Sequence, residues 1–453
     1  MKSGDNRPER LVPALRFPEF RDAPPWQVKR LGEVVQWVRT NNFPRARLTD
    51  SGGEVQNIHY GDIHTKFPTH FRQLKEQIPF IKGANVSDFQ ESDFCRPGDI
   101  VIADASEDYS GIGKAIEIVE TSHIPLVAGL HTFIARPVGG NFFCGFAGYC
   151  LGSEGVRLQI RRVAQGISVL GISKYELEKL TLPLPSLPEQ RQIAGCLSSL
   201  DDLIEAREGQ VAALKLHKRG LMQRLFPAPG ETTPALRFPG FRDAPPWEVK
   251  RLGEVADIKR GASPRPISSP IWFDDESDIG WVRISDVTAS GRVLLKTTQK
   301  LSQEGVKKSR IVPPGHIIMS ICGTIGKPIC TGFSVCIHDG FVVFENLRQI
   351  HEQFLFYFLE RIETCWRRHG QPGTQINLNS DIVAQEKIPL PSLAEQREIV
   401  GCLSSLDDLI EAREGQVAAL KLYKRGLMQK LFPAPGDTAP VLRRAERITE
   451  AAT

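Results

Sequence analysis

The stretch LSSLDDLIEAREGQVAALKL occupies residues 197–216 and occurs again, without a single change, at residues 403–422. The agreement extends outward, because residues 182–230 and 388–436 match at 43 of 49 positions in a constant register of 206. Two copies are too few for a stacked solenoid, which generally needs about three or more repeats. The duplication therefore predicts a pseudo-twofold molecule.

A second block, PALRFPEFRDAPPWQVKRLGEV at 13–34, returns at 234–255 with two substitutions, and GETTPALR at 230–237 returns as GDTAPVLR at 436–443. The chain thus alternates between linker, insert and helix. The predicted segments are a flexible N-terminus at 1–12, a first insert domain at 13–185, a helix at 186–227, a linker at 228–251, a second insert domain at 252–391, a helix at 392–433 and a flexible tail at 434–453.

Each repeated helix carries apolar residues at alternating steps of four and three, which is a heptad seam. Ser186 and Glu189 have the spacing of a capping box, and Phe-Pro-Ala-Pro-Gly cannot continue the helix at its other end. At about 1.5 Å per residue, roughly 38 residues make a rod on the order of 57 Å long. The residues predicted to pair the helices are Ile193, Leu197, Leu200, Ile204, Val211, Leu214, Leu221 and Leu225, with Ile399, Leu403, Leu406, Ile410, Val417, Leu420, Leu427 and Leu431.

A narrow seam in two nearly identical helices favours their pairing with each other, although each could instead pack on its own insert as an amphipathic surface helix. The second insert joins the end of the first helix to the start of the second. These two points are neighbours in an antiparallel pair, whereas a parallel pair would force the insert to span the rod. We therefore predict antiparallel helices with one insert at each end.

The inserts differ in sequence but share a skeleton. RPGDIVIADASEDYSGIGK at 96–114 resembles PPGHIIMSICGTIGK at 313–327, with a Pro-Gly turn, a strand, a variable loop and Ile-Gly-Lys. The predicted fold class is α/β (α+β): two similar domains separated by an antiparallel two-helix coiled coil. Two domains of one fold with different polar side chains indicate two readers of different targets.

Composition excludes several classes of protein. Nine cysteines without a C-x-x-C pair argue against a disulfide framework and a zinc ribbon. No signal peptide or apolar run of about 18 residues is present, which predicts a cytoplasmic protein with no membrane partner. His59, His64 and His70 are too irregularly spaced for a metal cluster. No nucleophile–base–carboxylate set stands out, so we predict no catalytic, cofactor-binding or metal-binding residues.

Charge alone does not indicate nucleic acid, since residues 31–180 hold 15 Lys and Arg against 17 Asp and Glu, and residues 252–388 hold 16 against 15. A basic surface must therefore arise from local arrangement. The DNA-binding candidates are polar and basic residues that can bond bases or phosphates from loops. In the first insert they are Arg39, Asn41, Asn42, Arg45, Arg47, His64, Lys66, Lys114, Arg161, Arg162 and Gln165; in the second they are Arg260, Ser263, Arg265, Lys307, Lys308, Arg310, Thr324, Lys327, Arg367, Arg368, Gln371, Thr374 and Gln375.

The motifs LPLPSLPEQRQIA at 182–194 and IPLPSLAEQREIV at 388–400 each precede a long helix that ends in KRGLMQRLF or KRGLMQKLF. YGDIHT at 60–65 and SICGTIGK at 320–327 lie in the inserts. In all of these the chain resembles the specificity subunit of Type I restriction–modification enzymes. The resemblance covers nearly the whole sequence.

This resemblance implies two target-recognition domains that each read one half of a split, asymmetric DNA site, with the helices setting the spacing. It also implies docking of two methylation subunits, which use S-adenosylmethionine, and of two restriction subunits, which use ATP and Mg. The subunit itself would be non-catalytic and hold no cofactor. Two alternatives differ from it: a coiled-coil adaptor whose inserts bind protein or small ligands, and a self-contained methyltransferase or nuclease, which the missing motifs oppose.

Overall fold

The computed structural model describes residues 11–369 and 378–433, and it divides into two compact units. The first unit comprises residues up to 208 together with those from 416 onward. The second unit comprises residues 209–415. The predicted flexible ends fall largely outside the described residues, which begin at 11 and stop at 433.

The first unit contains most elements of the first insert. Its strands are β1 Gln27–Arg30, β2 Val35–Val38, β3 Leu48–Thr49, β4 Gln56–Ile58, β5 His70–Arg72, β6 Phe80–Ile81, β7 Ile100–Ala103, β8 Ala105–Ser106, β9 Ala115–Glu120, β10 Leu126–Ala128, β11 Thr132–Pro137, β12 Leu170–Gly171 and β13 Thr181–Leu184. Its helices are α1 Leu31–Val34, α2 Tyr60–Thr65, α3 Ala147–Gly152, α4 Glu154–Val163, α5 Lys174–Glu178 and the first part of α6 Leu187–Leu225.

The second unit follows the same plan. Its strands are β14 Glu248–Arg251, β15 Asp257–Arg260, β16 Gly280–Val282, β17 Val293–Leu294, β18 Gln299–Lys300, β19 Arg310–Val312, β20 Ile317–Ser320, β21 Pro328–Thr331, β22 Val335–Ile337, β23 Phe341–Glu345 and β24 Lys387–Leu390. Its helices are α7 Leu252–Val255, α8 Ile284–Ala289, α9 Gln303–Lys307, α10 Glu352–Ile362, α11 Ser380–Gln385 and the first part of α12 Leu393–Leu431.

Each unit has a five-stranded and a four-stranded sheet. The five-stranded sheets run β2-β11-β7-β9-β5 and β15-β23-β20-β21-β17, so corresponding strands occupy corresponding places. In both sheets the last pair is parallel and the other pairs are antiparallel. The four-stranded sheets, β10-β4-β6-β3 and β18-β16-β22-β19, share one parallel pair, β4 with β10 and β16 with β22. The shared skeleton predicted from the inserts is thus present.

The repeated blocks meet in a small antiparallel sheet, β1 with β13 and β14 with β24. Glu189, in the first turn of α6, accepts hydrogen bonds from the Arg16 guanidinium at 2.8 and 2.5 Å and from the Trp26 indole at 3.1 Å. Both members of the ion pair are almost fully buried. The second unit repeats this arrangement with Glu395, Arg237 and Trp247. The glutamate of the Glu-Gln-Arg motif therefore anchors the linker to the helix.

Within each unit, the beginning of one long helix runs antiparallel to the end of the other. In the first unit Asp201 bonds Lys424 at 2.5 Å and Glu208 bonds Lys421 at 2.6 Å. Residue numbers therefore rise along one helix as they fall along the other, which is antiparallel packing. In the second unit the pairs are Lys215 with Glu414 at 2.6 Å and Lys218 with Asp407 at 2.8 Å.

The predicted seam residues are all buried or half-buried. The two ways of packing that the sequence left open both occur in part. In the first unit Ile193 and Leu197 of α6 join Leu431 of α12 in one apolar cluster, but that cluster also contains the domain residues Trp26 and Tyr149. The ends of each helix are thus part of a domain core as well as of a helix pair.

Two lysines that interrupt the seam are held by polar groups of the partner helix and the domain. Lys424 lies 5.2 Å from the Tyr149 ring, and the Tyr149 hydroxyl donates to Asp201 at 2.7 Å. Lys218, which is 8% exposed, lies 5.2 Å from the Tyr357 ring and bonds Glu360 at 2.8 Å as well as Asp407. Among the described residues, no helix is both long and apolar enough to cross a membrane.

Replacement of Lys218 by Ala is expected to lower the free energy of unfolding of the second unit by about 2 kcal/mol, because Glu360 loses this cation and Asp407 keeps the more distant Arg292, at 3.8 Å. Lys215→Ala is the matched control on the same helix. Its pair with Glu414 is about half exposed, so a loss below about 1 kcal/mol is expected. Chemical denaturation measures both values, and equal losses would contradict the role of Lys218.

A buried carboxyl distinguishes the two domain cores. Glu117 on β9 is 1% exposed and accepts hydrogen bonds from the amides of Gly145 and Gly148, at 2.5 and 2.7 Å. Burial raises its pKa to about 7 in spite of these donors. The strand registers, Ile100 opposite Glu117 and Ile317 opposite Cys330, place Cys330 at the equivalent position of the second unit.

We expect the contribution of Glu117 to the stability of the first unit to fall by about 3 kcal/mol as the pH rises from about 4.5 to about 7. In this range the unfolded carboxyl ionises while the folded one keeps its proton, so the unfolded chain binds fewer protons and is favoured. Hydrogen exchange of β9 amides measures this decline, and Glu117→Gln should abolish it whatever its absolute stability. The β21 amides provide the comparison, since burial raises the Cys330 pKa to about 12.

Candidate nucleic-acid interface

In the second unit, one carboxylate gathers several of the DNA-binding candidates. Asp339 lies in the turn before β23 and accepts hydrogen bonds from the Ser263 hydroxyl at 2.7 Å and from the Arg265 guanidinium at 3.2 Å. The Arg260 guanidinium donates to the Asp339 carbonyl at 2.6 Å, and Arg310 donates to the Arg260 carbonyl at 2.8 Å. The end of β15 with the loop after it, the start of β19 and the turn before β23 therefore converge. We call Arg260, Ser263, Arg265, Arg310 and Asp339 the Asp339 cluster.

An open cavity of about 470 Å³ adjoins the Asp339 cluster. Trp281, Arg283 and His338 line it together with Ser263 and Arg265. The hydrogen bond from Ser263, aided by the charge of Arg265, holds the Asp339 pKa below its usual value, so this carboxylate is ionised at neutral pH. Burial lowers the His338 pKa, which favours the neutral imidazole. The exposed guanidinium groups of Arg260, Arg265 and Arg283 outnumber this single carboxylate.

The first unit has a different set of side chains at the corresponding place. His131 stands directly before β11, whereas His338 directly follows β22 and lies three residues before β23. His131 lies 3.1 Å from the Asp104 carboxylate. The Tyr60 ring packs edge-on against His131 with ring centres 5.3 Å apart. Asn41 follows β2, and its amide donates to Asn57 at 2.8 Å. The strand registers make Arg39 the counterpart of Arg260 and Asn41 the counterpart of Ala262, so the two edges share one arginine and differ in the side chains that follow it.

The backbone in both units follows the same course at this edge. The backbone N–H of Asn41 donates to the Ala128 carbonyl at the end of β10, at 3.0 Å. The backbone N–H of Ala262 donates to the Ile337 carbonyl at the end of β22, also at 3.0 Å. The loop after β2 therefore crosses the end of β10, and the loop after β15 crosses the end of the equivalent strand, β22. Different side chains are presented by equivalent loops.

Several first-unit candidates surround α2. The Asp62 carboxylate, buried in α2, bonds Arg45 and, at 3.0 Å, Lys66, both of which leave about half of their side chains exposed. His64 lies half-buried with Nε2 2.8 Å from the Ala105 carbonyl. Arg39 is held by Asp93 at 2.5 Å, Arg47 lies 5.7 Å from the Phe43 ring, and Asn42 is exposed.

The Ile-Gly-Lys motif joins a loop to a short helix in both units. Lys114 donates to the His64 carbonyl of α2 at 3.1 Å, and Lys327 donates to the Thr288 carbonyl of α8 at 3.4 Å. The glycines have φ of +62° and +84°, and a Cβ on them would lie 2.7 Å from Ile160 or 2.1 Å from Trp366. These two lysines hold the loop in place, which limits their freedom to reach DNA.

The remaining candidates lie on separate elements. On α4, Arg161 bonds Glu154 at 2.5 Å and Arg162 is exposed, and the backbone of Gln165 pairs with Gly171. In the second unit Lys307 bonds Glu304 at 2.6 Å, while Lys308 and Thr324 are exposed. The side chains of Arg367 and Arg368, and the residues Gln371, Thr374 and Gln375, lie outside the described part of the chain.

Sequence reasoning missed His131, Asp104, Tyr60, Asp339, His338 and Arg283. A signal was present, because Leu130-His131-Thr132-Phe133 and Ile337-His338-Asp339-Gly340-Phe341 both place a histidine between an apolar residue and a strand. An isolated acidic residue does not indicate a DNA-binding loop by itself. Its ability to gather three neighbours depends on strands that are distant in sequence.

Within residues 11–369 and 378–433, no three His, Cys, Asp or Glu side chains form a group able to hold a metal ion. The geometry instead offers hydrogen-bond donors and cations on loops at one edge of each domain. These are the groups that bond base edges and phosphate oxygens.

The model of one protein family matches residues 151–216 and 245–422, more than half of the chain. This family is described as the Type I restriction modification DNA specificity domain. The chain belongs to this family. The family predicted from the repeated Glu-Gln-Arg motif is thereby confirmed, and with it a role in DNA sequence specificity. Neither the family match nor the relatives support the adaptor alternative.

One relative matches most of the chain and another matches more than half of it. A Methanocaldococcus jannaschii protein, assigned as the MjaX specificity subunit of a type I restriction enzyme, is 24% identical over 90% of this chain and 92% of its own. The MjaVIII specificity subunit of the same organism is 26% identical over 60% of this chain and 66% of its own.

Solved structures confirm the fold class. The S subunit of a Type I restriction–modification system from M. genitalium has a TM-score of 0.57 at 15% identity, covering 94% of this chain and all of its own. A chain from a study of complex assembly and conformational transition of the type I R-M system has a TM-score of 0.55 at 20% identity, covering 91% and 98%. At these identities the likeness concerns the fold alone.

Proposed function

We propose that this chain is the DNA-reading subunit of a Type I restriction–modification complex in which each unit reads one half of a bipartite, asymmetric site. The observation that supports this most directly is the contrast between the two loop edges. The loop after β15 carries Ser263 and Arg265 bonded to Asp339, whereas the equivalent loop after β2 carries Asn41 and Asn42. The arginine that precedes each loop also has a different partner, since Arg39 bonds Asp93 and Arg260 bonds the Asp339 carbonyl.

The Asp339 cluster suits base reading rather than attraction of phosphates alone. A guanidinium held on one side by a carboxylate has a fixed direction, and an arginine so directed can present two donors to the O6 and N7 atoms of guanine. The Arg265 side chain is 73% exposed, so it can reach a groove. In the first unit the exposed Asn42 carries an amide of the type that pairs with adenine, whereas the Asn41 side-chain amide is already bonded to Asn57 and to the Ala128 carbonyl.

The chemistry of the complex is assigned to partner subunits. We propose that this chain is non-catalytic and binds no cofactor itself, that two methylation subunits supply S-adenosylmethionine chemistry, and that two restriction subunits use ATP and Mg. Modification of an adenine within a duplex requires that the base be flipped out of the stack. A reader that holds both sides of the site firmly supports that step.

Arg265→Ala is expected to weaken binding to a duplex carrying the recognised site by about 10-fold or more, because it removes a directed donor group. If Arg265 contacts phosphate as well, the slope of log affinity against log salt falls by about 1. The site is first located by sequencing methylated positions in host DNA. Fluorescence anisotropy with that duplex, and with a scrambled one, then measures affinity across a salt series.

Arg348→Ala is the matched control. Arg348 is an exposed arginine that bonds Asp257, at the opposite end of β15 from Arg260, so its loss should leave both duplexes bound as before. Asp339→Ala should raise binding to the scrambled duplex, because a negative charge is removed, and lower the preference for the true site. Unchanged binding of both duplexes by Arg265→Ala would contradict the proposed reading role.

A further inference from the structure

The second unit shows how the linker leaves a long helix. After α6 ends at Leu225, the chain turns back, and the amide of Leu236 donates to the Arg224 carbonyl at 2.8 Å. The next residue, Arg237, forms its buried pair with Glu395 and also donates to the Ala244 carbonyl at 2.6 Å. The exit of α6 and the start of α12 are therefore joined by one Leu-Arg dipeptide.

The first unit makes the same contacts with residues from the other end of the chain. The amide of Leu15 donates to the Lys430 carbonyl at 2.9 Å, and Arg16 forms the buried pair with Glu189 and donates to the Ala23 carbonyl at 2.8 Å. Lys430 is the counterpart of Arg224 in the register of 206. We call the Glu189 carboxylate together with the Lys430 carbonyl the Glu189 seat.

The sequence supplies a second segment for this seat. Residues 436–443 read GDTAPVLR, which repeats GETTPALR at 230–237 and shares the pattern Pro-x-Leu-Arg with VPALR at 12–16. Leu442 follows Lys430 by 12 residues, as Leu236 follows Arg224 by 12. Residues 436–443 lie outside the described residues, but their spacing to α12 equals the spacing that brings Leu236 and Arg237 into place in the second unit.

We propose that residues 436–443 are an alternative occupant of the Glu189 seat, with Arg443 able to replace Arg16 on Glu189. Both segments are tethered to the first unit, so each acts at high effective concentration without a second molecule. A buried carboxylate that loses its arginine is costly, and a second arginine removes that cost. In the second unit the linker after α6 provides one arginine for Glu395, which is Arg237. The second unit is therefore the internal control.

The test is hydrogen exchange of the full chain, read on the near-identical peptides 26–34 and 247–255. Arg237→Ala should speed exchange of 247–255 on the order of 100-fold, since it breaks a buried ion pair. Arg16→Ala should speed exchange of 26–34 by less than about 10-fold, because Arg443 takes its place. The double variant Arg16→Ala/Arg443→Ala should reach the effect of Arg237→Ala, and Arg443→Ala alone should change nothing.

Two results would overturn the proposal: an Arg16→Ala effect as large as that of Arg237→Ala with no addition from Arg443→Ala, or no effect even in the double variant. If the double variant fails to accumulate as folded protein while Arg16→Ala does, that difference supports the replacement. Exchange is repeated at a tenfold lower protein concentration. A protective effect of Arg443 that disappears on dilution would show that the tail of another molecule fills the seat, against the proposal.

Discussion

In each unit, half of a long helix is buried against half of the other, and the domain is built on that pair. The apolar seam supplies the driving force, while Lys218 and Lys424 require acidic partners at fixed positions on the facing helix. A buried lysine needs its acidic partner at one position on the facing helix, so these pairs fix the register of the two helices. Tyr149 and Tyr357 then connect the same carboxylates to the domains.

This frame explains why some segments are repeated almost unchanged and others are not. Glu189 and Glu395 each bond an arginine and a tryptophan of the linker. A change at any of these positions therefore leaves a buried polar group without its hydrogen-bond partner. The loop edges have no such constraint, because Asn41 and Ala262 stand on equivalent backbones but carry different side chains with different neighbours. The domains can vary in their reading groups while the connection to the helices stays constant.

The sequence was sufficient for the parts that depend on local periodicity. The seam follows from steps of three and four, and α6 and α12 begin and end within two residues of the predicted helices. Antiparallel pairing followed from the length of chain available between the helices. Lys218 and Lys424 could be seen only as interruptions, since their partners come from the facing helix and from α10 or α3.

The candidate interface was predicted less completely. Arg260, Ser263, Arg265 and Arg310 were chosen for their side-chain chemistry, and the structure brings them together, but Asp339, which joins them, was missed because the contact depends on strand order. Lys114 and Lys327 were chosen for their charge, yet both donate to a helix carbonyl. Chemistry of a side chain is visible in sequence, whereas its availability depends on its neighbours in space.

The claim that each unit reads its own half of a DNA site is tested most directly by exchanging residues 256–387 for the corresponding insert of another family member. The hybrid is expressed with its methylation subunits, and the methylated adenines of the host DNA are located by sequencing. If each unit reads its own half, one half of the bipartite sequence changes and the other half is retained. A change in both halves, or in neither, would contradict this claim.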